Sequence, residues 1–441
     1  MLLEIEKLIY GGDGLARLPA DANGRGKAVF IPFVLSGEKV EATLTEEKPG
    51  FARAQAEKIV QPSPHRISPS CPYFARCGGC HYQHAGYEQQ LEIKKEILRE
   101  NLRRIAKLEL QTEIAVHPSP PWNYRNRSRL QLRTQPGFAL GYFKFSSHEL
   151  LPVEQCPISS PLINRAINAV WNLGRSGKSP EHVCEVEFFA NEEDARLLIE
   201  LSCAAEARRA SVRDWAEELC ASMPEIAGIT AFRNGQKAST EAFLTVGESH
   251  VAYKTKVGAY RISAGSFFQT NRFLTDELVR IVTADRAGEL ALDLYAGVGL
   301  FSTALAGSFR HTLSVEMSQT SFSDLSYNLP SNGEAVHAAA ERFLGELGAK
   351  ERAKAGAILP QLRPTPEVVV VDPPRSGLGD RVARSLTGLN APRITYVSCD
   401  PATLARDLVP LRAAGYRIEE VHLIDLFPQT YHLETVVQFV R

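Results

Sequence analysis

Apolar and polar positions change their rhythm along this chain of 441 residues, and each change marks a boundary. Up to about residue 62 the apolar runs are short, AVFIPFV and then KVEATL. They are separated by turns at Gly11, Gly12 and Gly14 and at Ser36 and Gly37, which predicts a small β-barrel over 1–62. The proline- and serine-rich stretch from Pro62 to Ser70 reads as a linker. From Tyr87 to Leu108, Leu91, Ile97, Leu98, Leu102 and Ile105 recur at helical spacing with lysine and arginine on the other faces, so a helix is expected. Strands and helices mix between 111 and about 260, with LINRAINAVWNLG read as helix and CEVEFFA as strand, giving an α+β central domain over 63–260. From 261 onward LALDLYAG, TLSVEMS, EVVVVDPP and ITYVSCDP are apolar runs that end in glycine, proline or acidic residues. That alternation predicts an α/β, doubly wound domain over 261–441, a parallel sheet with helices on both faces and ligands at the carboxyl ends of its strands.

Composition narrows the class. A hydrophobic content of 44% suffices for large cores, in roughly two to four units at the usual domain size. The first residues lack the basic start and apolar run of a signal peptide, and no run of about 18 apolar residues exists, so a cytoplasmic chain with no membrane partner is expected. The formal net charge is −1, which gives no general attraction to nucleic acid. Any RNA contact must therefore be local. The best candidate runs from Tyr124 to Arg133: as a strand it sets Arg125, Arg127, Arg129, Gln131 and Arg133 on one face and Leu130 and Leu132 on the other. No acidic residue occurs from Pro121 to Phe145, and Trp122, Tyr124, Phe138, Tyr142 and Phe143 offer stacking surfaces, so this strand is expected to grip phosphates.

The segment Asp293-Leu-Tyr-Ala-Gly-Val-Gly-Leu-Phe-Ser follows a buried run and opens a helix, so Gly297 and Gly299 can turn the backbone tightly against a cofactor. Glu316 ends the next strand, where such folds place an acid to accept from ribose hydroxyls. The fuller G-x-G-x-x-G of dinucleotide folds is absent, because Phe301 and Ser302 follow Leu300, which favours S-adenosylmethionine over NAD. Asp372-Pro-Pro-Arg and Ser398-Cys399-Asp400-Pro401 close two further strands on the same rim. Carbon 5 of uracil is a poor nucleophile, and thiolate addition at carbon 6 turns it into an enolate that can attack an electrophilic methyl group; Cys399 is placed for that role. A base must then remove the carbon-5 proton, and Glu434, just before the run TVVQFV, is the candidate. Asp372 can bond the uracil edge or polar cofactor groups.

Eight cysteines are too sparse for a disulfide scaffold. Cys71, Cys77 and Cys80 stand at C-x5-C-x2-C, and Cys156 precedes a proline 76 residues later. Four thiolates suit either an iron-sulfur cluster or a tetrahedral zinc, and spacing alone does not choose. Cys184, Cys203 and Cys220 show no ligand spacing.

These motifs together resemble the 5-methyluridine RNA methyltransferase family, and the domain order resembles its bacterial 23S ribosomal RNA branch across nearly the whole chain. The resemblance implies that Cys399 in SCDPATLARDL is the nucleophile and Glu434 in His432-Leu-Glu-Thr the base. It implies cofactor contacts at Gln269 in SFFQTN, at Tyr295, Glu316 and Asp372. It implies a [4Fe-4S] cluster on Cys71, Cys77, Cys80 and Cys156, since CGGC followed by Tyr82-Gln83-His84 is similar to the family's iron-sulfur signature. The barrel resembles a TRAM domain. Leu300 departs from relatives that carry asparagine there. RNA is the implied partner, 23S ribosomal RNA first and transfer RNA as the alternative, for a monomeric enzyme. A 5-methylcytosine enzyme would carry a Pro-Cys pair where Asp372-Pro-Pro-Arg stands; a non-catalytic iron-sulfur RNA-binding module would not need the full set of site residues.

Overall fold

Residues 1–61 alternate buried and exposed side chains because each strand has one face on a small core. The strands are β1 (Leu2–Glu4), β2 (Lys7–Leu8), β3 (Asp13–Arg17), β4 (Ala28–Pro32), β5 (Lys39–Glu47) and β6 (Phe51–Gln61). They form one six-stranded sheet in the order β1-β5-β6-β4-β3-β2, closed around Leu3, Ile5, Val29, Ile31 and Val40. This computed structural model describes residues 1–19, 24, 26–233, 242–284, 286–353 and 365–441.

After the cysteine-bearing segment come helix α1 (Tyr87–Ile105) and strand β7 (Ile114–His117). The central sheet follows: β8 (Arg127–Arg133), β9 (Ala139–Phe143), β10 (Leu150–Pro152), α2 (Pro161–Arg175), β11 (Val183–Ala190), β12 (Leu197–Cys203), α3 (Arg209–Ser222), β13 (Ile226–Arg233) and β14 (Leu244–Gly247). Its order is β10-β9-β8-β11-β12-β13-β14, and α2 and α3 bury Ile163, Ile167, Trp215 and Leu219 against it. A ribbon of β15 (His250–Lys254) and β16 (Ala259–Ser263) leads to the last unit.

That unit contains α4 (Thr275–Thr283), β17 (Gly288–Leu294), α5 (Leu300–Ala306), β18 (Phe309–Glu316), α6 (Gln319–Asn328), β19 (Gly333–His337), α7 (Ala340–Ala353), β20 (Val368–Val371), α8 (Gly379–Gly388), β21 (Arg393–Ser398), α9 (Pro401–Ala413), β22 (Arg417–Ile424) and β23 (Glu434–Val440). The sheet order is β19-β18-β17-β20-β21-β23-β22-β7. Strands β17 to β21 are mutually parallel, and β20 is four buried valines in a row, as a strand covered on both faces must be. The expected all-parallel sheet needs one correction. β23 runs antiparallel to both β21 and β22, because only residues 425–433 join β22 to β23, too few for the crossover of a dozen or more residues that a parallel return requires.

The chain also differs from the expected 63–260 block. β7 pairs in parallel with β22 at the edge of the last sheet, and α1 buries Ile93, Ile97, Leu98 and Leu102 in the same core as Leu292, Val371 and Leu408. An amphipathic helix needs an apolar partner, and α1 finds it in the core of the last sheet rather than of the central one. Among the described residues no helix is long and apolar enough to cross a membrane.

One ion pair ties α1 to the β22–β23 connection. Lys94 Nζ donates to Asp425 Oδ1 at 2.6 Å with both side chains fully buried, and it also donates to Phe427 O at 2.9 Å. Removing one partner strands a buried charge. Lys94→Met should therefore lower stability by about 3–5 kcal/mol, read as a shift of the urea midpoint. The double variant Lys94→Met/Asp425→Leu should recover most of that loss; equal loss in both would show that the pair matters through packing alone.

Candidate active site

Between β17 and α5 the chain reverses within residues 295–299, and three of them adopt the left-handed region: Tyr295 (φ 65°), Gly297 (φ 57°) and Gly299 (φ 93°). At Gly299 a Cβ would come within 2.9 Å of Leu325, whereas at Gly297 it would meet nothing within 4 Å. The side above Gly297 is thus an open cradle. Glu316, at the carboxyl end of β18, accepts from Gly297 N at 2.9 Å and Ser318 N at 2.6 Å, which fixes its carboxylate beside that cradle. Asp293 is fully buried; its Oδ2 accepts from Ser302 Oγ at 2.5 Å, while Oδ1 has no partner. An orphaned buried oxygen of this kind calls for a polar ligand group. The open cradle, the oriented Glu316 and the unpartnered Asp293 oxygen fit an adenosyl moiety. Tyr295 is half-buried, and burial pushes its hydroxyl up to about 12.

Gln269 is buried in the turn between β16 and α4. That turn is fastened by Asp324 on α6, which accepts from Arg261 Nε, Ser263 N, Ser263 Oγ and Ser266 Oγ at 2.7–2.8 Å. Sequence reasoning missed Asp324, whose only signal is an acid on a helix that turns out to be fully buried.

The reversal of β23 builds the other half of the site. Ser398 pairs with Thr435, so one further step along the antiparallel ladder sets Cys399, at the end of β21, across from Glu434, the first residue of β23. Asp372 follows β20 on the same rim. Asp400 caps α9 by accepting from Ala402 N and Thr403 N at 3.0 and 2.9 Å, with Pro401 at the first helical position. Burial and the carboxylates of Glu434, Asp372 and Asp400 push the Cys399 thiol up to about 12 against the opposing charge of Arg375. Burial, then Asp372, holds Glu434 well above the usual carboxylate range, again opposed by Arg375. Burial and the Asp293 charge push Asp372 up to about 7; burial, then Glu316, puts Asp293 near the same value. Two groups here were not anticipated. Arg375 bonds His432 Nδ1 at 2.9 Å and is a cation whose charge opposes the shifts of Cys399 and Glu434. Tyr10, from the barrel, donates to Cys399 O at 3.2 Å and stands edge-on to Tyr431, ring centres 5.5 Å apart.

Cys71, Cys77, Cys80 and Cys156 line one cavity of about 50 Å³, walled by Phe74, Arg125, Tyr142, Val153 and Ile158. A single water needs roughly 10–15 Å³ on this measure, so the space takes a group of several atoms. Among the described residues no set of three or more His, Cys, Asp or Glu side chains is arranged to hold a metal ion. Burial pushes Cys77 up to about 11 and Cys80 further, with Arg125 opposing. Any metal group must therefore displace protons to bind here.

The expected phosphate-gripping strand is otherwise engaged. Arg127 donates to Ser266 O at 2.8 Å and pairs with Glu187 at 3.3 Å. Arg129 also pairs with Glu187, and Gln131 donates to Glu185 at 2.8 Å. Arg125 turns into the cysteine cavity. The register of β8 against β11 sets Arg129 opposite Glu187 and Gln131 opposite Glu185, so the basic face is a cross-strand charge ladder.

Residues 86–441 match the family described as tRNA (Uracil-5-)-methyltransferase. The chain belongs to that family. Residues 1–56 of this uracil-5-methyltransferase match the TRAM domain. An uncharacterized RNA methyltransferase of Caldanaerobacter subterraneus subsp. tengcongensis is 32% identical, covering 100% of this chain and 97% of the relative. One of Aquifex aeolicus is 31% identical over 98% and 97%. The crystal structure of Pyrococcus abyssi tRNA (uracil-54, C5)-methyltransferase with S-adenosyl-L-homocysteine shares the fold, with a TM-score of 0.73, 23% identity and full coverage of both chains. The protein is an S-adenosylmethionine-dependent RNA methyltransferase acting at carbon 5 of uracil.

The raised Asp293 carboxyl gives this methyltransferase a pH signature. Unfolded, Asp293 ionises near 3.8; folded, it keeps its proton to about 7. The folded state binds more protons between those values, so this contribution to stability is lost as pH rises through the window. Asp293→Asn removes the titration. Denaturant midpoints across that range should show the variant gaining on the wild type as pH rises; a constant difference would mean the carboxyl is ionised throughout.

Proposed function

We propose that this enzyme methylates carbon 5 of a uridine in 23S ribosomal RNA through a covalent adduct on Cys399. The sulfur of Cys399 adds to carbon 6, and the resulting enolate attacks from carbon 5. S-adenosylmethionine supplies the electrophilic methyl group and a positive charge. Carbon 5 then bears both methyl and hydrogen. Glu434 takes the proton, the carbon 5–carbon 6 double bond re-forms, and Cys399 leaves. The observation that supports this reading is the β21–β23 register, by which Cys399 and Glu434 follow and begin paired strands on the rim that also carries the Gly297 turn. Burial makes Glu434 the stronger base once ionised. Asp372, near neutrality, can bond the uracil edge, and Gln269, Tyr295 and Glu316 contact the cofactor, Glu316 through the ribose hydroxyls.

We further assign a [4Fe-4S] cluster to Cys71, Cys77, Cys80 and Cys156. The support is that the four cysteines line one shared cavity with room for a group of several atoms. The cluster would crosslink the cysteine-bearing segment to Cys156, whose backbone N–H donates to Asn164 Oδ1 at 2.8 Å on α2. No chemical step is routed through it.

The two catalytic roles predict variants that differ in kind. Cys399→Ala should bind RNA and cofactor and form no adduct on a denaturing gel; Glu434→Gln should transfer the methyl group and stall as a crosslinked protein–RNA band. Methylation by Cys399→Ala would overturn the covalent route. For the cluster, anaerobic preparation should give about four iron and four sulfide per chain, lost in Cys77→Ser and Cys156→Ser; stoichiometric zinc without iron would replace it with a zinc site. For the substrate, mass mapping in a deletion strain should show one 5-methyluridine missing from 23S ribosomal RNA. Its loss from transfer RNA instead would change the substrate and leave the reaction standing.

A further inference from the structure

The base candidate Glu434 follows a connection, residues 425–433, that has no partner strand of its own. Five consecutive residues of it are nonetheless bonded from outside. Asp425 N donates to His117 O at 3.0 Å, and its carboxylate takes Lys94 and, at 3.0 Å, Tyr87 Oη. Leu426 O accepts from Asn271 Nδ2, Phe427 O from Lys94 Nζ and Pro428 O from Tyr124 Oη, at 3.2, 2.9 and 3.0 Å. Gln429 O accepts two successive backbone N–H groups, His81 at 2.8 Å and Tyr82 at 3.0 Å. None of these partners lies between 288 and 424, the span of the parallel strands. They come from β7, from α1, from the segment just after Cys80, from Tyr124 and from the turn before α4.

Gln90 on α1 sits at the junction. Its Oε1 accepts from Gln429 N at 2.9 Å, and its Nε2 faces Gln429 Oε1 at 3.0 Å, so the two residues are clasped in both directions. The same Nε2 reaches Tyr82 O at 3.2 Å and Ala85 O at 3.0 Å. Gln90 is 1% exposed and Gln429 is 3%. One buried amide thus fastens the segment after Cys80 and the base-bearing connection to each other. Gln429 is held at φ 69°, a conformation a glutamine adopts only when its surroundings enforce it.

We propose that Gln90, acting through Gln429, is a positioning residue for the proton-abstraction step. The inference rests on Glu434 being the base. Cys399 stands just past the end of β21, next to the capped start of α9, and no hydrogen bond of the clasp reaches it; its link to the connection runs through Tyr10, which bonds its carbonyl and packs edge-on to Tyr431. Glu434 lies five residues past Gln429, opposite Ile424, so loosening the clasp displaces the base and leaves the nucleophile seated. The step affected is the last: the carbon 5–hydrogen bond breaks, its proton passes to the Glu434 carboxylate, its electron pair becomes the carbon 5–carbon 6 double bond, and the carbon 6–sulfur bond breaks to return the Cys399 thiolate.

The test is single-turnover kinetics of the full-length enzyme with labelled RNA, scoring on denaturing gels the rate at which adduct forms and the rate at which it resolves to free methylated RNA. Gln90→Leu removes the clasp. Gln429→Gly removes the side-chain Oε1 contact of the clasp, keeps the backbone N–H bond to Gln90 Oε1 and relieves the positive φ, which favours folding of this variant. Adduct formation should stay within about twofold of wild type, and resolution should slow by roughly tenfold or more, the scale of a misplaced catalytic group. Formation and resolution slowing together, or neither changing in Gln429→Gly, would overturn the proposal. Failure of the underlying reading looks different: Glu434→Gln would itself resolve its adduct at the wild-type rate.

Discussion

The shortness of the connection between β22 and β23 governs the chemistry. In a wholly parallel sheet every strand begins on the rim opposite its catalytic end, and the first residue of the last strand would lie far from the nucleophile. Residues 425–433 are too few to cross over. β23 therefore enters between β21 and β22 in the reverse sense, and its first residue, Glu434, is delivered to the rim where β17, β18, β20 and β21 end. Glu434 joins the Gly297 cradle, Asp372 and Cys399 on one edge for that reason.

That convergence is electrostatically costly. Asp293, Asp372 and Glu434 are buried acids that raise one another or the Cys399 thiol, with Arg375 opposing the shifts of Glu434 and Cys399. A site so rich in protonatable oxygen is matched to a cationic cofactor, whose positive charge offsets the repulsion and favours the thiolate. The same crowding explains why the site is braced from outside its own sheet: Tyr10 of the TRAM domain holds the Cys399 carbonyl, and α1 with the segment after Cys80 holds the base-bearing connection. The N-terminal barrel is thereby part of the catalytic rim's support, with Leu8 and Leu35 in the same core as β17 and β20.

Much of this was legible in the chain because motif and fold coincide locally. Glu316, Asp372 and Cys399 each abut an apolar run, and such runs are strands whose ends form the ligand rim. The reversal of β23 is also implicit in the spacing from Ile424 to Glu434, though the apolar pattern does not state it. What was not legible depends on pairings across long separations. Arg129 and Glu187 lie 58 residues apart, Gln90 and Gln429 lie 339 apart, and Tyr10 and Cys399 lie 389 apart. No local periodicity reports them. Within the basic stretch Tyr124–Arg133, Arg127 and Arg129 find acidic partners on a strand that only the fold brings alongside.

The claim that two residues divide one reaction is tested most directly by following the carbon-5 hydrogen itself. RNA carrying tritium at carbon 5 of the target uridine and a methyl label on S-adenosylmethionine would report both halves of a single turnover. In the wild type, tritium should enter solvent in step with methyl transfer. In Glu434→Gln, methyl transfer should proceed to one equivalent while tritium stays on the RNA. Release of tritium by that variant at the wild-type rate would contradict the account, since some other group would then be removing the proton.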